Sequence, residues 1–147
     1  MTTTVPTTLN PSIVGQAEKH HTALLARVLS GTTLDEKRWI TLNQALVSGQ
    51  TVERAAHVAH VARLTRWAPA DVDDALTALV ESGLAQESPA GQVEVTDAGR
   101  AVVARVRAES GEIIGRVYGS VPAEDLAVAA RVLTAVTARM AEELAHA

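Results

Sequence analysis

Two imidazoles and a carboxylate fall at helical spacing near the middle of this 147-residue chain: Glu53, His57, His60 and then Leu64 are separated by 4, 3 and 4 residues. That spacing puts them on one face of a helix. Two histidines and a glutamate on one face are a donor set for Zn²⁺ or Fe²⁺, and His20 and His21 supply two more imidazoles upstream. The same spacing also describes a solvated helical face carrying a Glu–His pair one turn apart. No further ligand is fixed by the pattern, so no metal or haem is firmly implied. Trp39 and Trp67 are, with Tyr118, the only aromatic residues, and each indole serves either as a packing anchor or as a binding platform. Arg27, with His20 and His21, could neutralise an anionic ligand. Gly111 and Gly115 lie inside a helical pattern rather than after a strand, so they do not form a phosphate loop. No Ser, His and Asp set has a recognisable spacing. Enzyme chemistry would fall to His, Glu and Asp groups acting as general acids or bases, and no catalytic residue can be assigned.

The elements that would position these groups are mostly helical. Hydrophobic residues make up 47% of the chain, but Ala supplies 27 of them and Val 19, with no Phe and no Cys. The core is therefore built from small groups. Without Cys there is no disulfide framework, thiolate zinc site, iron–sulfur cluster or Cys nucleophile. No apolar run reaches the length of a membrane span and nothing resembles a signal peptide, so the expected location is cytoplasmic, away from membranes. Three aromatics are too few for stacking recognition of single-stranded nucleic acid.

Residues 1–11, with five Thr and two Pro, read as an extended or disordered arm. From Ser12, the residues Ile13, Val14, Ala17, His21, Leu24, Leu25, Val28 and Leu29 recur at three- and four-residue intervals, predicting a first long helix that Gly31 closes. Thr33 and Glu36 form a capping-box pattern opening a helix from about Leu34 to Val47. A third segment runs from Val52 to about Thr65. Pro69 and Asp71 suit the first turn of a fourth helix, which buries Val72, Leu76, Leu79 and Val80. Beyond Gly83 the period becomes alternating. Leu84–Glu87 and Gln92–Thr96, joined by Pro89, Ala90 and Gly91, predict a β-hairpin. Helix resumes near Asp97, and a turn at Gly119–Pro122 leads to a last helix. There Leu126, Ala129, Leu133, Val136, Met140 and Leu144 form a nearly heptad stripe. The long terminal helices carry more apolar surface than one chain can cover, which predicts a homodimer.

This order resembles the MarR family of winged helix-turn-helix regulators. Leu76, Leu79 and Val80, followed by Ser82, Gly83 and Leu84, look like that family's recognition helix entering its first wing strand. Val95, Thr96, Asp97, Ala98, Gly99 and Arg100 look like its junction after the wing, and Ser120–Leu126 resembles the turn into its final dimerisation helix. The likeness spans about residues 12–145. It implies a mainly α fold with a small β-hairpin wing: dimerisation helices at 12–31 and 101–147, and a winged helix-turn-helix lobe at 32–100. It also implies a small-molecule-responsive transcriptional regulator with an effector pocket near the dimer helices. That pocket, for an anionic or aromatic ligand, would draw on His20, His21, Arg27, Trp39, His57 and His60.

Charge distribution opposes the DNA contact that the resemblance implies. Residues 67–99 contain no Lys or Arg, yet hold Asp71, Asp73, Asp74, Glu81, Glu87, Glu94 and Asp97. The overall charge of −4 thus resolves into −7 here and +3 elsewhere. Duplex DNA is bound largely through Lys and Arg that displace counterions, and only Arg63 and Arg66 precede the recognition helix as DNA-binding candidates. A ligand-binding protein or small enzyme on the same fold that has lost DNA is the competing expectation.

Overall fold

The structure, a computed structural model, describes residues 7–146; the greater part of the expected N-terminal arm lies outside them. The elements in order are α1 (Pro11–Leu29), α2 (Glu36–Val47), β1 (Thr51–Glu53), α3 (Arg54–Thr65), α4 (Pro69–Glu81), β2 (Ala85–Glu87), β3 (Gln92–Val95), α5 (Asp97–Gly119) and α6 (Ala123–Ala145). The fold is thus mainly helical, with one three-stranded antiparallel sheet. Among the described residues, no helix is long and apolar enough to cross a membrane. Two compact units divide the chain, residues 1–110 and 111–147, with the boundary inside α5.

In the first unit the helix-turn-helix is α3 and α4, and the wing is the β2–β3 hairpin. The sheet has the order β1-β3-β2. Val52 faces Val93, and Ala85 faces Val95. The core is small-residue packing around Leu42, Val61, Val72, Leu76, Leu79, Val93, Val95, Val103 and Val106, each 1% exposed or less, with Trp39 as its one indole at 8%. Those residues sit at the periods read from the sequence, so the hydrophobic pattern selects which face each element buries.

Two local expectations are corrected. The cap of α2 is Asp35, whose carboxylate accepts from the Arg38 N–H at 2.9 Å, and not the Thr33–Glu36 box. Asp35 directly precedes the helix and is itself a strong N-cap residue. The segment from Val52 does not open as helix: Thr51–Glu53 is extended and pairs with β3 as a third strand. Helix α3 starts only at Arg54, with the Glu53 carboxylate accepting from the N–H groups of Ala55 (3.2 Å) and Ala56 (2.6 Å).

The wing-to-α5 junction is tightly specified. Thr96 Oγ1 donates to the Gly83 carbonyl at 2.7 Å and accepts from the Gly99 N–H at 3.1 Å, so one hydroxyl ties the end of α4 to the start of α5. A Cβ at Gly99 would lie 2.2 Å from the Leu84 carbonyl oxygen, so the backbones can approach this closely only without a side chain.

In the second unit, no residue of α6 is buried. Val128, Val132, Leu133, Val136, Met140 and Leu144 are all 38–57% exposed.

Candidate functional site

The turn between α3 and α4 is built by local hydrogen bonding. Thr65 Oγ1 donates to the Val61 carbonyl at 2.7 Å and accepts from the Trp67 N–H at 3.2 Å. Arg66, with φ 64°, takes the left-handed conformation that ends α3. Pro69 then opens α4, where its missing N–H costs nothing. Because Val72, Ala75, Leu76 and Leu79 face the core, the helical period turns Asp71, Asp73, Asp74, Thr77 and Glu81 outward, and all five are exposed.

Four of the seven acids are held by bases from outside their own segment. Lys37 on α2 pairs with Asp71 at 3.2 Å, and Arg100 on α5 pairs with Asp97. Arg54, the first residue of α3, serves two acids: it pairs with Asp73 at 2.9 Å and with Glu87 on the wing. Its guanidinium also donates to the Asp73 carbonyl at 3.0 Å and to Thr77 Oγ1 at 2.7 Å. The Asp73 hydrogen bond outweighs partial burial and pushes the Arg54 pKa above its ordinary value, so the cation is permanent. One planar fork thereby joins helix-turn-helix and wing, a role suited to Arg rather than Lys. Sequence reading missed Arg54 because it lies 13 residues before the acidic stretch begins; its signal was a base at the start of a helix that packs on α4.

Arg63 and Arg66 are exposed, and neither has an ion-pair partner among the described residues. They flank a shallow groove of about 450 Å³ lined also by Ala59, Ala62, Trp67 and Pro69. Trp67 is half-buried, and Lys37 Nζ lies 5.8 Å from its ring centroid, a cation–π contact.

The remaining candidates are dispersed. His20, His21 and Arg27 are exposed on α1; the Nδ1 atoms of His20 and His21 lie 2.6 and 2.7 Å from the carbonyls of Gln16 and Ala17. Trp39 is buried in the core on α2. His57, 3% exposed, donates from Nε2 to the Thr41 carbonyl at 2.9 Å, and its ring centroid is 6.4 Å from that of His60. Burial pushes the His57 pKa below its ordinary value, against the bond to Thr41 and with the help of His60. The metal set expected at Glu53, His57 and His60 is corrected. Glu53 stands on the strand side of the helix start, which breaks the assumed spacing, and its carboxylate caps α3 while His57 turns inward. Among the described residues no three His, Asp or Glu groups are placed to hold a metal ion.

No protein-family model matches the chain, and no curated protein matches it. Solved structures do match its fold. It is similar to the organohalide-sensing transcriptional regulator RdhR-CbdbA1625 in its ligand-free form, with a TM-score of 0.73 and 13% identity over 87% of this chain and 77% of that one. A MarR family transcriptional regulator from Streptomyces coelicolor gives 0.69 and 20% identity, over 88% of this chain and 91% of that one. BpsR from Bordetella bronchiseptica, whose DNA binding is regulated by 6-hydroxynicotinic acid, gives 0.68 and 18% identity, over 88% and 93%. The chain therefore has the MarR-type winged-helix fold. Its solved neighbours include ligand-responsive transcriptional regulators of that fold.

Proposed function

We propose that this chain is a small-molecule-responsive transcriptional regulator acting as a homodimer. The observation that carries the reading is the α3–α4 helix-turn-helix beside a β2–β3 wing, with one whole face of α4 turned to solvent. A helix presented in this way is suited to a major groove. Arg63 and Arg66 are the bases free to meet phosphates, and Lys37, Arg54 and Arg100 offset part of the acidic charge that would repel them. The exposed apolar stripe of α6, with α1 and α5, supplies the dimer interface. The effector is a small anionic or aromatic molecule, in keeping with the 6-hydroxynicotinic acid of the Bordetella protein; His20, His21, Arg27, Trp39, His57 and His60 are the candidate residues for it. Its binding would shift lobe spacing against successive major grooves.

A second reading is favoured by Asp74, Glu81 and Glu94, which have no ion-pair partner among the described residues: a ligand-binding protein or small enzyme on this fold that does not bind DNA. Salt-titrated binding to the DNA upstream of the gene, beside random DNA, separates the two. Two free arginines on each of two lobes give a slope of log K against log salt of about −3 to −4, from roughly −0.9 per phosphate contact. Equal binding to both DNAs with a slope near zero would overturn the regulator and leave the second reading. Alanine replacement of the candidate ligand residues would then abolish ligand binding or turnover.

A further inference from the structure

We propose that the groove at the helix-turn-helix corner, between α3 and Pro69, binds an organic anion with an apolar body. Every other basic side chain in residues 32–100 is committed: Lys37 to Asp71, Arg38 to Asp35, Arg54 to Asp73 and Glu87, Arg100 to Asp97. The two that are free, Arg63 and Arg66, stand together at the rim of one groove. In a lobe whose acids outnumber its bases by ten to six, that is the place where an anion meets uncompensated positive charge. The floor is of a different character. Ala59, Ala62, the Trp67 indole and the Pro69 ring present mainly apolar surface. An inorganic anion would leave this floor wet, and an uncharged apolar molecule would leave both guanidinium groups unused. A carboxylate or phosphate joined to a hydrocarbon body satisfies both, the head on the forked donors and the body over the indole.

The site does not depend on DNA binding, and its test is run without DNA. Decanoate, decanol and inorganic phosphate are titrated into the full chain, followed by calorimetry and by tryptophan emission; Trp39 is buried, so a shift on binding reports Trp67. Decanoate is expected to saturate one site per chain and shift the emission, with decanol and phosphate each at least tenfold weaker. Arg63→Gln/Arg66→Gln is expected to weaken decanoate about tenfold or more, since the head group loses charge-assisted hydrogen bonds. Ala59→Glu, a change at an exposed position that places a carboxylate in the groove, is expected to do the same without altering the far-UV circular dichroism. Decanol binding as tightly as decanoate, unchanged decanoate affinity in a folded variant of either kind, or no saturable binding would overturn the proposal. Failure here leaves the upstream-DNA result untouched, and failure of specific DNA binding leaves this site standing.

Discussion

Arg54→Gln removes the cation shared by α4 and the wing, and its cost can be worked out bond by bond. The Arg54 side chain is 21% exposed, while its partners Asp73 and Glu87 are 52% and 33% exposed. A sheltered hydrogen bond to a charged group contributes about 1.5–3 kcal/mol, but exposed ion pairs measure only about 0.2–1 kcal/mol. The half-exposed Asp73 pair belongs near 0.5 kcal/mol, and the better-sheltered Glu87 pair near 1 kcal/mol. The 2.7 Å bond to Thr77 and the 3.0 Å bond to the Asp73 carbonyl, both from one nitrogen, together add about 0.5 kcal/mol. The total is about 2 kcal/mol, or a fall in Tm of roughly 6 °C for a chain of this size. Urea unfolding at fixed protein concentration is the assay. Cycles with Asp73→Asn and Glu87→Gln should give coupling energies of about 0.5 and 1 kcal/mol. Arg54→Lys should recover less than half the loss, because one ammonium cannot reach all four acceptors. Wild-type stability in Arg54→Gln, or zero coupling in both cycles, would refute the idea that counter-charge holds the wing to the helix-turn-helix.

Gly99→Ala should destabilise by about 2 kcal/mol or more, because overpacking against the Leu84 carbonyl exceeds the ~1 kcal/mol gained in helix propensity; a urea midpoint at or above wild type would sink this. His57 has a folded-state pKa depressed below its ordinary 6.5, so its contribution is fully present above that pH and is lost as pH falls from there through the folded value. Stability measured from pH ~7.5 to ~5.5 should decline, and His57→Gln should flatten the decline; an unchanged slope in the variant counts against a buried neutral imidazole. Leu133→Glu/Met140→Glu on the exposed stripe of α6 should convert the proposed dimer to a monomer in sedimentation equilibrium, and an unaffected dimer would remove α6 from the proposed interface.

How much of this was legible depended on range along the chain. The helices and the wing hairpin announce themselves through local period, as at Val72, Leu76 and Leu79 or at Val93 and Val95. Strand β1 did not, because three residues are too few to show alternation and the Val93 that pairs with Val52 lies 41 residues away. That omission produced the metal set that the structure corrects: reading Val52 and Glu53 as helix put Glu53 in phase with His57 and His60, when sheet pairing keeps it extended. The cap of α2 slipped for a related reason. Thr33 and Asp35 are both competent caps, and only the backbone decides which one stands at the helix start. The fold was thus legible wherever sequence pattern alone sets a residue's role, and illegible where backbone geometry or a distant segment decided it.

The acidic stretch belongs to that second group. Counted along the sequence, residues 67–99 carry −7; counted in space, Lys37, Arg54 and Arg100 stand against four of those acids, which leaves −4. The offset is uneven. Asp71 has Lys37 to itself, whereas Asp73 and Glu87 divide one guanidinium and Asp74, Glu81 and Glu94 have no ion-pair partner among the described residues, so α4 and the wing stay negative while the corner becomes positive at Arg63 and Arg66. A polyanion meeting this lobe is therefore attracted at the corner and repelled at the wing. That gradient suits phosphate contact by the corner with the wing held off the duplex, and a small anion at the corner avoids the wing acids that a duplex must pass.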